Sequence, residues 1–224
     1  MFVKICGVTT PEDALLSAGL GADALGLNFV AASPRLITTR VATDIVRRLP
    51  AEVLTVGVFR NERRERVVQI ANEVGLRSVQ LHGDETPEDV AWVVERVPNV
   101  IRALSAGSLE RYDLDACGPV RLLVDAPEPG SGKPFDWERL AAAPPDRRYL
   151  LAGGLHPDNV ADAIALLHPW GVDVASGVES RPGVKDAVLL QRFIAAARSV
   201  APSDLYNEST AGSLFDWEDP TPWQ

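Results

Sequence analysis

Short apolar runs recur along this chain at a fairly even spacing, and that recurrence limits its possible folds more than any other feature. They begin near Phe2, Ala24, Leu54, Ser78, Val100, Arg121, Tyr149 and Gly171, and each lasts about four to six residues. Several, such as Leu122-Leu123-Val124 and Leu54-Thr55-Val56-Gly57-Val58-Phe59, are apolar nearly throughout. Strands of a parallel sheet covered on both faces read this way. Between them, Thr10-Pro11-Glu12-Asp13 and Thr86-Pro87-Glu88-Asp89 repeat one helix start: a Thr cap, Pro in the first turn, then acids. Residues 39–49, 63–74, 157–167 and 185–200 carry apolar positions three and four apart, and residues 105–115 carry the weakest such pattern. Eight strands alternating with about eight helices leave a doubly wound open sheet or a closed (β/α)₈ barrel. Open sheets of that kind usually have fewer strands, and the barrel fits the count directly.

The length of 224 residues suits one such barrel, which reaches roughly 250 residues as a single domain. With 46% apolar and 24% charged residues the chain is neither disordered nor fibrous. A net charge of −9 argues against a nucleic-acid face or a polybasic membrane patch. Cys6 and Cys117 are the only cysteines, too few for a disulfide framework and in keeping with a reducing compartment. No apolar run approaches the roughly 18 residues of a membrane-crossing helix, and the opening residues read as a strand. The expectation is a soluble cytoplasmic protein with a barrel over residues 1–200 and an extension over 201–224. Beyond Arg198 the extension holds Asp204, Glu208, Asp216, Glu218 and Asp219 with no basic residue, and it carries Tyr206, Phe215, Trp217 and Trp223. This acidic, aromatic segment is expected to dock away from the catalytic end, with Asn207–Ser213 as a linker.

Barrel enzymes place their chemistry at the C-terminal ends of the strands. The first run ends Lys4-Ile5-Cys6-Gly7, and alternation puts Lys4 and Cys6 inside with Val3 and Ile5 facing the helices. Cys6 is a candidate proton-transfer base if nearby positive charge favours its thiolate, the alternative being a small buried filler. The sixth run ends in Asp125, a carboxylate costly to bury unless paired, solvated or used. Acid and thiol at strand ends suggest a general acid facing a general base. Gly153-Gly154 and Ser176-Gly177 follow the seventh and eighth runs, where barrels often hold phosphate. Arg35, after Ser33-Pro34, is placed to grip a substrate carboxylate with its planar fork. His82, at the rim after the fourth run, reads as a polar wall or a proton-transfer group. Lys4 and Asp173 both point inward on strands that become neighbours on closure, so they are expected to pair. Pro129-Gly130-Ser131-Gly132-Lys133 lacks P-loop spacing and reads as a flexible active-site loop. No cluster has metal-ligand spacing and no dinucleotide fingerprint follows the first run, so neither metal nor cofactor is expected.

Lys4-Ile5-Cys6-Gly7, Gln80-Leu81-His82-Gly83, Asp125 with Gly130-Ser131-Gly132 and Phe135-Asp136-Trp137, Ala152-Gly153-Gly154-Leu155, Val172 to Glu179, and Pro182 to Asp186 stand in the order found in phosphoribosylanthranilate isomerases. The chain resembles that family over residues 1–198. The resemblance implies a (β/α)₈ barrel and the Amadori rearrangement of phosphoribosylanthranilate in tryptophan biosynthesis, without a cofactor. It implies Cys6 as general base, Asp125 as general acid, Arg35 and His82 at the substrate, and Gly153, Gly154, Ser176 and Gly177 at its phosphate. The implied partner is a small phosphorylated aminosugar, bound by a monomer or homodimer. Three positions depart from the family pattern: Phe29-Val30-Ala31-Ala32 before Arg35, Pro129, and Ala175. Related isomerases of histidine biosynthesis place an Asp where this chain has Cys6.

Overall fold

Each apolar run becomes a strand at the residue where it begins: β1 (Phe2–Cys6), β2 (Ala24–Asn28), β3 (Leu54–Phe59), β4 (Ser78–Leu81), β5 (Val100–Ser105), β6 (Arg121–Asp125), β7 (Tyr149–Ala152) and β8 (Gly171–Val174). The computed structural model describes residues 1–125 and 149–200. All eight strands pair in parallel in chain order, and β8 pairs with β1 to close the barrel. Closure decides against the open sheet. It also leaves no strand edge exposed.

Alternation along the strands fills two cores. Phe2, Ala24, Leu54, Val56, Ile101, Ala103, Leu123, Leu150 and Ala152 pack inside the barrel, and Phe2 stacks on Trp170 with ring centroids 4.5 Å apart. Val3 and Ile5 point outward into a larger core shared with the helices and are fully buried, each worth roughly 1.5–3 kcal/mol. Among the described residues the helices around the barrel are α1 (Pro11–Gly19), α2 (Thr39–Arg48), α3 (Arg64–Val74), α4 (Pro87–Val94), α5 (Val160–Leu167) and α6 (Ala187–Ser199). Both repeated starts behave as the sequence predicts. Thr10 Oγ1 accepts the Asp13 N–H at 3.2 Å, and Thr86 Oγ1 accepts the Asp89 N–H at 3.2 Å.

The connections depart from expectation in three places. Residues 105–115 form no α-helix; two short 3₁₀ turns, Ala106–Arg111 and Asp115–Cys117, bridge β5 and β6. Gly107 and the scattered polar residues of this segment leave no continuous apolar stripe to bury. Lys185 precedes its helix and lies in a hairpin of β9 (Glu179–Arg181) and β10 (Val184–Lys185), while Asp186 caps α6 through the Val188 and Leu189 N–H groups. Helix α5, expected from Pro157, begins at Val160, after a turn in which the His156 carbonyl accepts the Asn159 and Val160 N–H groups. The Gly130–Gly132 loop, the segment from Phe135 and the 201–224 extension lie outside the described residues.

Candidate active site

Register brings Lys4 opposite Asp173, and their side chains meet inside the barrel with Nζ and Oδ1 2.8 Å apart, as expected from closure. Lys4 is fully buried. Burial opposes its charge, yet Asp173 and then Cys6 outweigh burial, so the ammonium holds its proton more tightly than ordinary lysine. Cys6, one strand pleat higher, is partly exposed at the mouth. Room for its sulfur comes from a residue that sequence reasoning passed over. A Cβ on Gly26, the neighbour of Cys6 across the β1–β2 ladder, would lie 2.7 Å from Sγ. A side chain there would push the thiol off its position.

Lys4 was expected to favour the Cys6 thiolate. It does pull in that direction, but burial is the larger effect and leaves the thiol above its ordinary range, with Lys4 and Lys185 opposing and Asp173 adding to it. The resting thiol is therefore neutral, and its anion, once formed, is a strong base. Alkylation of Cys6 by iodoacetamide should climb about tenfold per pH unit through pH 8.5, where an ordinary thiol would be levelling. A rate already flat at pH 8 would contradict this, and buried Cys117 gives little background.

Across the mouth, Asp125 ends β6 and is reached by His82, which directly follows β4. His82 Nε2 stands 3.1 Å from Asp125 Oδ2. On the other side of the ring, the Gln80 amide nitrogen donates to His82 Nδ1 at 3.0 Å. With Nδ1 accepting, the ring proton lies on Nε2 and faces the carboxylate. The two side chains retain 35% and 21% exposure, enough to meet a substrate at the barrel mouth. Gln80 appeared in the sequence only as part of a motif. Its role as the partner that orients His82 is visible only in the fold.

Arg35 has a partner within the chain as well. Its fork is engaged by a carboxylate of the chain itself: Nε donates to Glu179 Oε1 at 2.8 Å and Nη2 to Oε2 at 2.6 Å. Lys185 Nζ donates to the same Glu179 at 2.9 Å, to the Cys6 carbonyl at 2.6 Å and to the Ala175 carbonyl at 3.1 Å. Burial works against the Glu179 charge, but Arg35 and Lys185 outweigh it and hold the carboxyl below the usual range. A Lys–Glu–Arg chain thus ties the ends of β1 and β8 to the loop after β2. Sequence reasoning named only its outer member, because the partners lie 144 positions apart.

Gly153 and Gly154 follow β7, and Ser176 and Gly177 follow β8, with Gly154 and Ser176 exposed at the rim. The two loops touch. A Cβ on Gly177 would overlap the Leu155 carbonyl oxygen and lie 3.0 Å from the His156 Cα, so only glycine fits. Ser176–Val178 is a single 3₁₀ turn, separated in sequence from α6 by the β9–β10 hairpin, and the α6 cap Asp186 donates its N–H to the Val178 carbonyl at 3.0 Å.

A thiol and a carboxylate at one barrel mouth, beside loops shaped for close backbone approach, are the equipment of a barrel enzyme that moves protons on an anionic substrate. Comparison with known proteins narrows that class. A family model described as N-(5'phosphoribosyl)anthranilate (PRA) isomerase matches residues 3–196. The N-(5'-phosphoribosyl)anthranilate isomerase of Pelobacter propionicus is 46% identical over 203 residues, covering 88% of this chain and 95% of that protein. The crystal structure of TrpF from Jonesia denitrificans is 40% identical with a TM-score of 0.83, covering 89% of this chain and 98% of that one. A phosphoribosyl anthranilate isomerase solved in complex with reduced 1-(o-carboxyphenylamino)-1-deoxyribulose 5-phosphate is 38% identical with a TM-score of 0.77, covering 89% and 99% of the two chains. The chain belongs to the N-(5'-phosphoribosyl)anthranilate isomerase family. No helix among the described residues is long and apolar enough to cross a membrane.

Proposed function

We propose that this chain catalyses the Amadori rearrangement of N-(5-phosphoribosyl)anthranilate to 1-(2-carboxyphenylamino)-1-deoxyribulose 5-phosphate in tryptophan biosynthesis. The observation that carries the residue assignment is the pairing of two strand-end groups at one mouth: Cys6 above the Lys4 ammonium, and Asp125 held by His82. Asp125 protonates the furanose ring oxygen, and the C1–O bond breaks to give the open-chain Schiff base. Cys6 then removes the proton from C2, leaving an enolamine. A proton from water then adds at C1 as the C2 hydroxyl loses its own to water, giving the ketone, so the oxidation of C2 balances the reduction of C1; the proton taken by Cys6 returns through solvent to Asp125. Each positioned proton transfer contributes typically about 10²–10⁴-fold.

The other groups hold the sugar in register for these transfers. Gly153, Gly154, Ser176 and Gly177 cradle the phosphate with backbone N–H groups. Glu179 fixes the Arg35 fork, and the remaining Arg35 amino group meets the anthranilate carboxylate. His82 borders the substrate beside Asp125. Complementation of a tryptophan auxotroph lacking this step, with direct assay of both the anthranilate-bearing and the histidine-pathway aminoaldose phosphates, tests the reading. Growth with turnover of the first substrate is expected. Turnover of the second alone would overturn it.

The 201–224 extension takes no part in this chemistry. Truncation after Val200 should leave kcat/KM within about threefold, which is under about 1 kcal/mol of transition-state stabilisation. A tenfold loss would place the extension at the active site.

A further inference from the structure

Arg102 is among the most deeply buried side chains of the protein, at 1% exposure, and it lies on the wrong side of the barrel wall for catalysis. Its neighbours Ile101 and Ala103 face the barrel interior, so Arg102 faces the helices, on the same side of β5 as Val100 and Leu104. An aliphatic residue would suit that position, and burying a guanidinium instead demands compensation. The compensation is concentrated around one residue. Nη1 donates to the Leu81 carbonyl at 2.8 Å and to the Ala103 carbonyl of its own strand at 3.0 Å, and Nη2 donates to the Gly83 carbonyl at 2.8 Å, so the carbonyls of the residues on either side of His82 are both held. Nη1 also donates to Glu85 Oε2 at 3.0 Å, and that same oxygen accepts the Gly83 N–H at 2.8 Å. Tyr112 covers the guanidinium with its ring 4.6 Å away, and its hydroxyl donates to the Glu85 carbonyl at 2.8 Å. The other Glu85 oxygen accepts the Asn61 N–H at 2.8 Å, which joins the loop after β3 to the same anchor.

We propose that Arg102 is a positioning residue for the proton-transfer pair, acting through the wall of the barrel. It clamps the carbonyls of Leu81 and Gly83, with Glu85 holding the Gly83 N–H, and so sets the imidazole of His82 between them against Asp125 and the Gln80 amide. The effect on rate rests on the reading of Asp125 as general acid. The effect on His82 does not. A hydrophobic side chain would pack the same space but offers no donor to either carbonyl, so it separates clamping from filling.

Arg102→Met tests this, with Arg102→Lys and Glu85→Gln as milder variants should the first fold poorly. Arg102→Met should keep the wild-type circular dichroism and still unfold cooperatively, at a lower temperature because Glu85 loses its buried partner. Its kcat should fall about tenfold or more, with KM within about twofold, because substrate-binding loops on the far side are untouched. Arg102→Lys, able to reach one carbonyl at a time, should recover part of the loss. In a His82→Asn background the same Arg102→Met change should cost almost nothing, since the residue it positions is gone. Nitrogen NMR of the imidazoles supplies a readout independent of turnover: His82 should show one Nε2-protonated tautomer in the wild type and an averaged pair in Arg102→Met. An unchanged His82 signature, or a rate loss that persists undiminished in the His82→Asn background, would overturn the proposal. The NMR arm needs no substrate, so it remains decisive even if the wild-type protein fails to turn over the aminosugar.

Discussion

Replacing Cys6 with Ala, or Asp125 with Asn, should lower kcat at least about 10²-fold while the barrel folds as before. The two substitutions remove protons without removing architecture. Asn at position 125 keeps the size of the carboxylate and an oxygen for the His82 ring to donate to, 3.1 Å away in the native site, but it has no acidic proton to give the ring oxygen. Ala at position 6 removes only the sulfur, and the backbone around it stays fixed because the Gly7 and Val8 N–H groups both donate to the Gly26 carbonyl, at 2.9 and 3.0 Å. KM should change little, since neither group is the main anchor of the phosphate or the anthranilate carboxylate. The two residues serve successive steps, so the double variant should lose far less than the product of the single losses. Steady-state kinetics on variants with verified thermal unfolding would settle it. More than a tenth of wild-type kcat in either variant would sink its assignment.

All eight strands were legible because of what a closed parallel barrel demands. Its strands are covered on both faces, so each must be a nearly continuous apolar run, and turn residues must bound it. Cys6 and Asp125 were legible for a related reason. Each is a titratable residue that ends a largely apolar strand, and the fold sends those ends to one mouth. The Lys4–Asp173 pair followed from alternation and closure alone.

Contacts between distant loops left no such trace. Arg35 reads as a free loop arginine until the hairpin carrying Glu179 and Lys185 folds over the barrel end, and that hairpin is too short to show a pattern of its own. Its Lys185 looked like the first residue of a helix because Asp186, the cap that excludes it, is one position further on. Arg102 was invisible for the opposite reason. A single charge in an apolar strand reads as an irregularity, and its partners, from Leu81 to Glu85 and at Tyr112, come together only in the fold.

The largest stability effect belongs to the ion pair inside the barrel. Lys4→Met should destabilise the protein by about 3–5 kcal/mol, because it leaves Asp173 buried with its counter-ion gone. The native ammonium is fully buried, and Asp173 is 7% exposed, so water replaces little of the lost partner. Asp173→Asn should cost a comparable amount from the other side, stranding the ammonium. Changing both, as Lys4→Met with Asp173→Leu, should cost clearly less than the sum, since no unpaired charge remains. The pH dependence follows from the direction of the Lys4 shift. Because the folded protein holds this proton more tightly than the unfolded chain, the contribution is complete below the ordinary lysine value of about 10.4 and fades only above it. Urea unfolding should therefore show a wild-type to Lys4→Met gap that stays constant from pH 6 to 9. A gap under about 1 kcal/mol would mean the pair is dispensable to the fold. The double variant should fold yet remain nearly inactive: it removes both Lys4, which favours the Cys6 thiolate, and Asp173, which opposes it, but Lys4 has the larger effect, so the thiolate that must take the C2 proton becomes rarer still.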